Sequence, residues 1–194
     1  MIRNRNTTER RILDAVGQIV EAEGFEAVGV NAVAAKSGLS KVLIYRYFGS
    51  VESLLAKYME VNDFWLNTDY SQLPHDDVKA FSKAIIRAYV GMLRNAPALR
   101  KLYRWELSAK NAAIDNLRHR REEMAMVIID SICRLSGQPR DRVAVISTLI
   151  TATVPYLCIL GENCGVYNSL AIDTEDGWTK ILETIDYMFD KLFE

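Results

Sequence analysis

The chain has 194 residues, enough to bury a substantial core in one large domain or two small ones. With 49% hydrophobic and 25% charged residues and only 10 Gly and 4 Pro, disordered, collagenous and low-complexity classes are excluded. The 24 basic residues are balanced by 25 acidic ones, so any surface suited to a polyanion must be local rather than a property of the whole chain.

Apolar residues recur at helical spacing from end to end and nowhere alternate between hairpin turns, which predicts an all-α fold. The first helix is expected to start after Thr7 or Thr8 as N-cap, to bury Ile12, Ala15, Val16 and Ile19, and to stop at Gly24. Phe25 then folds back on the core. Two short helices follow, over 30–37 and 41–48, separated by Gly38-Leu39-Ser40. Gly38 permits a left-handed turn and Ser40 caps the second helix. Another helix begins near Ser50 and carries Leu54, Leu55, Tyr58 and Met59 toward a polar, Pro-containing stretch at 67–74. Beyond it, with His75 at a helix start, longer helices are expected over 76–95, 97–107, 112–135, 140–162 and 174–193. The breaks are Pro97, Gly137-Gln138-Pro139 and the segment 161–173. In the last helix Trp178, Ile181, Leu182, Ile185, Met188, Phe189 and Leu192 form a stripe that requires another helix to cover it.

The segment VNAVAAKSGLSKVLIYRYFG, from Val30 to Gly49, has the order of residue types of a helix-turn-helix. Ala34 is small where the helices touch, and Val33, Leu39 and Ile44 plug the space between them, with Phe48 turned inward. From Ala27 to Val51 the only charged residues are Lys36, Lys41 and Arg46, and the preceding arm adds Arg3, Arg5, Arg10 and Arg11 against Glu9 alone. The second helix of such a unit enters the major groove by its N-terminal residues, which places Lys41, Val42 and Leu43 at base edges. Tyr45, Arg46 and Tyr47, with Lys36 and Ser40 beside the turn, suit DNA backbone contacts. The head is expected to span 1–50, leaving 51–194 as a larger helical domain.

These residues resemble the DNA-binding domain of the TetR family of transcriptional regulators. The resemblance covers about the first 55 residues. It is carried by Arg11-Ile12-Leu13-Asp14-Ala15, Gly24-Phe25, Val33-Ala34, Gly38-Leu39-Ser40-Lys41 and Tyr45-Arg46-Tyr47-Phe48 followed by Glu52 and Leu54. It implies a three-helix DNA-binding head, a linking fourth helix, and a larger helical domain that binds a small molecule and dimerises. Val51 departs from the lysine the family often has after the recognition helix, and Gly29 stands where Ser or Thr commonly caps the second helix.

A single head covers too few bases to be selective, so a homodimer on a palindromic operator is expected. Its interface is expected on the two most apolar late helices, through Ile150, Val154, Leu157, Trp178, Ile181, Ile185 and Met188. Candidate effector contacts are aromatic and weakly polar side chains on otherwise apolar helices: Tyr89, Tyr103, Trp105, Thr151, Tyr156 and Cys158. They suggest a small apolar or aromatic effector, and with the effector-binding domain that the resemblance implies, the chain is expected to be a repressor that releases its operator when the effector binds.

The stretch from Val143 to Gly161 carries no charge, but its hydroxyls and Pro155 favour a helix buried in a core and an interface over a membrane span. Cys133, Cys158 and Cys164 lack paired spacing and read as reduced thiols. The first residues carry no secretory pattern, so a cytoplasmic location is expected. Arg118-His119-Arg120-Arg121 is followed by Glu122 and Glu123 and reads as a solvated, neutralised helix face. No metal site, cofactor or catalytic set has a local signature. The rival readings are an all-helical enzyme or carrier of apolar molecules, and a protein-binding adaptor without DNA affinity.

Overall fold

A computed structural model describes residues 2–72 and 76–194; Pro74 and His75, and the side chain of Arg3, lie outside the described residues. The fold is all-α apart from one small hairpin. In chain order its helices are α1 (Ile2–Glu23), α2 (Val30–Ser37), α3 (Lys41–Phe48), α4 (Val51–Asn62), α5 (Phe64–Asn67), α6 (Val78–Asn95), α7 (Pro97–Ser108), α8 (Ala112–Ser136), α9 (Arg140–Leu160) and α10 (Glu175–Leu192). Strands β1 (Val166–Tyr167) and β2 (Leu170–Ala171) pair antiparallel between α9 and α10.

The chain forms two compact units. The first comprises the residues up to Asn67 together with Pro97–Arg121, and the second Thr68–Ala96 together with Glu122–Glu194. The junction at Ser50 thus falls between two helices of the first unit. Ser50 caps α4 by accepting from the Ser53 amide at 3.0 Å, and α4 packs on α1 and α3.

The first unit is built around α1, whose Ile12, Ala15, Val16 and Ile19 are all buried. That helix starts upstream of the expected cap: Thr7 and Thr8 lie inside it, since continuing the helix satisfies amides that a cap would otherwise take. It ends at Gly24, with a positive φ of 97° and an amide bond to the Val20 carbonyl at 3.0 Å. Phe25 is buried and stacks on Trp105 of α7, ring centroids 4.7 Å apart. Tyr58 of α4 is 5% exposed. Burial, then the Glu21 carboxylate, push its phenol up to about 12. An unfolded tyrosine ionises near pH ~10, so the stabilisation from the neutral phenol is intact below about that pH and is lost as pH rises toward the folded value. Urea titrations through this alkaline range should show stability falling, and Tyr58→Phe should flatten the fall.

A second feature of this unit joins α4, α7 and α8. Asp63, at the α4–α5 junction, is 0% exposed. Its Oδ2 accepts from Nε of Arg121 at 2.6 Å, and Oδ1 accepts from the Leu66 amide at 3.1 Å. Arg121 also donates through Nη1 to Glu106 at 2.6 Å, with its guanidinium 4.7 Å from the centre of the Tyr103 ring. Burial alone would lower the pKa of this guanidinium, but Tyr103, Asp63 and Glu106 outweigh it and the net shift is upward. The basic run is neutralised, and Arg118 and Arg120 stay solvated, but partners come from outside α8 as well: Arg118 pairs with Glu106, Arg120 with Glu60 and the buried Arg121 with Asp63.

In the second unit α6 packs against α9 and α10. Three ion pairs run along α6 and α10: Lys83 with Asp190 at 2.7 Å, Arg87 with Asp186, and Arg94 with Glu175 at 2.5 Å. Thr174 caps α10, accepting from the Gly177 amide at 3.1 Å and donating to the Ala171 carbonyl at 3.0 Å. The hairpin turns on Asn168 and Ser169, both at positive φ. The buried indole of Trp178 donates to the Ile172 carbonyl at 2.8 Å, fastening the hairpin's end to α10. The helix α9 is long and apolar enough to cross a membrane by length and composition; in the fold its Val143, Ile150, Val154, Leu157 and Cys158 are buried within the subunit.

Candidate nucleic-acid interface

The arrangement of α2 and α3 follows from a few residues. Gly38 takes the left-handed conformation, φ 66° and ψ 23°, and its amide closes α2 on the Ala34 carbonyl at 2.9 Å. Ser40 caps α3 through its hydroxyl, which accepts from the Leu43 amide at 3.2 Å. Val33 and Ile44 are fully buried between the helices, with Leu39, Ala34 and Phe48 half-buried around them. Gly29 precedes α2 without a side-chain cap. Gly49, at φ 78°, ends α3 by donating to the Tyr45 carbonyl at 2.8 Å.

With Ile44 turned inward, α3 presents the opposite face to solvent. Lys41, Val42, Tyr45 and Arg46 are exposed, Val42 at 78% and Tyr45 at 46%, while Leu43 and Tyr47 are half-covered. An isoleucine-sized plug on one side and an uncovered valine on the other give this short helix the polarity of a reading head rather than of a core helix. Lys36 is exposed on α2, and Arg5, Arg10 and Arg11 are exposed on α1. Among the described residues none of Arg5, Arg10, Arg11, Lys36, Lys41 and Arg46 forms an ion pair, in contrast to Arg118, Arg120 and Arg121 of α8. Unneutralised cations around an exposed, capped helix are what release counterions from a nucleic-acid backbone.

The other predicted site residues are dispersed. Tyr103 and Trp105 belong to the first unit, where one ring lies under Arg121 and the other is stacked on Phe25, so packing accounts for both. Tyr89 and Cys158 are buried in the second unit. Thr151 turns its hydroxyl back on its own helix, donating to the Ser147 carbonyl at 2.8 Å. Tyr156 is 52% exposed and meets Tyr167 of the hairpin edge-on, ring centroids 5.9 Å apart.

Most of the residues expected at an interface are covered by the chain's own helices. Ile150, Val154, Leu157, Trp178 and Ile185 are each at most 8% exposed within the single chain, and Ile181 and Met188 are half-buried. The stripe of α10 is covered by α6 of the same chain, and α9 turns its exposed apolar side elsewhere, through Val145, Leu149 and Tyr156. Sequence periodicity on α9 did not separate these faces because the helix is apolar on nearly all sides.

The fold and the exposed, basic second helix define a helix-turn-helix unit followed by a larger helical region. Residues 12–58 match the family model described as bacterial regulatory proteins, tetR family, the same segment that carries the sequence resemblance. The whole chain has the fold of solved TetR-family regulators. It superposes on a TetR-family transcription regulator from Marinobacter aquaeolei VT8 with a TM-score of 0.68 at 17% identity, covering 97% of this chain and 98% of the other. A tetR-family transcriptional regulator from Streptomyces coelicolor gives 0.68 at 15% identity, covering 96% and 80%. The transcriptional regulator FadR from Bacillus subtilis, solved in complex with stearoyl-CoA, gives 0.67 at 15% identity, covering 93% and 96%. Among curated proteins none matches the chain by sequence.

Proposed function

We propose that this chain is a cytoplasmic, effector-responsive transcription regulator, acting as a homodimeric repressor that releases a palindromic operator when a small apolar molecule binds the second unit. The observation that carries the reading is the outward face of α3, where Lys41, Val42, Tyr45 and Arg46 are exposed and uncompensated by carboxylates. In the complex Lys41 donates to a guanine edge and Val42 and Leu43 touch thymine methyls, each good bidentate base contact being worth about 1–3 kcal/mol of discrimination. Tyr45, Arg46 and Tyr47, with Lys36 and Ser40, hold the backbone. Gel shifts with genomic fragments should show specific retention that Lys41→Ala and Tyr47→Ala each weaken; full-strength specific binding by both variants would contradict the assignment.

Two heads about 34–36 Å apart read successive major-groove faces, so dimerisation is part of the mechanism. Val145, Leu149, Ala152 and Tyr156 form an exposed, uncharged stripe along α9 at steps of three and four residues, and this stripe supports a twofold contact with a second copy. The effector acts by favouring a head spacing that no longer fits the operator, through about 1–3 kcal/mol of coupling, and operator DNA weakens effector binding by the same factor.

The effector reading draws support from α6. Ser82 is 1% exposed and its hydroxyl has no hydrogen-bond partner among the described residues. It lies two helical turns from the fully buried Tyr89, on the same face of α6. An unmet buried hydroxyl costs about 1–3 kcal/mol, and a ligand oxygen would relieve it. Ser82→Ala should therefore leave the free protein as stable or slightly more stable in thermal melts. In a thermal-shift panel of fatty acids, acyl thioesters and aromatic compounds, it should reduce the stabilisation given by whichever class binds.

A further inference from the structure

We propose that Arg5 and Tyr47 form a two-helix clamp for a phosphodiester group of the DNA backbone, adding to the contacts of α3 one made from α1. The inference rests on the DNA-binding reading above and extends it to a residue upstream of the family match, which begins at residue 12.

The guanidinium carbon of Arg5 lies 5.9 Å from the centre of the Tyr47 ring. Arg5 itself is exposed, and Tyr47 is half-covered on α3, with Phe48 beside it at 6.4 Å between ring centroids. Tyr47 is thus a half-covered platform and Arg5 an exposed cation resting against it. A guanidinium whose face rests on a ring keeps its edge N–H groups free, and these match phosphate oxygens in bidentate geometry. The phenol hydroxyl supplies a further donor at the rim of the same ring.

Competition from carboxylates is absent among the described residues. Glu9, one turn along α1 and half-buried, is the only acidic residue between Met1 and Leu13, and Arg5 forms no ion pair with it. A second arginine of the same helix lies against the other end of the reading unit: a Cβ added at Gly38 would fall 2.9 Å from Nη2 of Arg11. The helix α1 therefore places one cation beside the turn into α3 and another beside its last turn. Contacts of this kind fix register and orientation without reading sequence.

The test is fluorescence anisotropy with the full chain and labelled duplexes of several unrelated sequences, over about 50–200 mM salt. Arg5→Gln should reduce the slope of log affinity against log salt by about 0.9, the loss expected for one phosphate contact, and by the same amount on every duplex. Arg5→Lys should keep the slope. Tyr47→Ala should weaken binding less in an Arg5→Gln background than alone, because the two side chains act on one group. Arg5 is exposed and circular dichroism melts should not move, so loss of fold does not confound the result. If the unaltered chain binds and Arg46→Ala, which removes a backbone contact, lowers the slope while Arg5→Gln leaves it unchanged, the clamp is refuted and the DNA-binding reading stands. An Arg5→Gln effect confined to particular sequences also refutes it. Failure of the unaltered chain to bind any duplex overturns the DNA-binding reading and the clamp with it.

Discussion

Replacing Arg121 with alanine is expected to lower the unfolding free energy by about 3–5 kcal/mol, measured by chemical denaturation at neutral pH. Asp63 is fully buried and accepts from Arg121 at 2.6 Å, so the substitution strands a carboxylate that water cannot reach. Glu106 loses one of its two arginines, keeping Arg118, and the Tyr103 ring loses the guanidinium above it. Because the penalty comes from the uncompensated charge rather than from the attraction itself, the Asp63→Ala, Arg121→Ala pair should cost much less than the sum of the single variants. Equal costs, added without coupling, would mean that the three helices are held by apolar packing and that the ion pairs are incidental.

The second large effect is expected at Gly177. A Cβ built there would sit 1.7 Å from the carbonyl oxygen of Ala171 and 2.7 Å from its carbon. The obstacle is backbone, and it belongs to the hairpin strand β2, which is tied to α10 by Thr174 and Trp178. Gly177→Ala must therefore move either the hairpin or the first turn of α10, and overpacking of this kind costs about 1–3 kcal/mol or more. Hydrogen exchange should show the damage concentrated at 161–178, with the amides of α1 to α4 unchanged. Gly29, by contrast, has open space around it and should accept alanine or serine with little effect.

These two sites mark where sequence reading stopped. The helices were legible because their ends carry local signals: Ser40 accepts the capping bond expected of it, Ser50 and Thr174 cap the helices expected to begin there, and Gly24 and Gly38 take positive φ. The buried face of α1 was legible for the same reason, since Ile12, Ala15, Val16 and Ile19 recur at one spacing on one amphipathic helix. The hairpin was not, because its strands are two residues long and owe their form to the end of α10, although Asn168 in a turn between them was an available cue. The Asp63–Arg121 pair was missed because its members lie far apart in the chain, and local charge alternation offered Glu122 and Glu123 as nearer partners. On α9 the inward Ile150, Val154 and Leu157 and the outward Val145, Leu149 and Tyr156 are chemically alike, so only packing against α6 separates core from free surface.

The candidate DNA face was the most legible part of the molecule. Its charge pattern, its turn and its plug residues are all contiguous in sequence, and the exposure of Val42 follows once Ile44 is turned inward. The effector region was the least legible. Trp105 stacks on Phe25 and Tyr103 lies under Arg121 in the first unit, and the buried hydroxyl of Ser82 gives no sign in the sequence.

The central claim, that a pair of α3 helices reads base edges in successive major grooves, is tested most directly by selecting bound duplexes from a randomised pool and repeating the selection with Lys41→Ala. The account predicts an inverted repeat with half-sites about 10–10.5 base pairs apart, or a multiple of that, and a changed base preference at matching positions of both halves in the variant. An unenriched pool, or a repeat whose bases are identical for the variant, would contradict it.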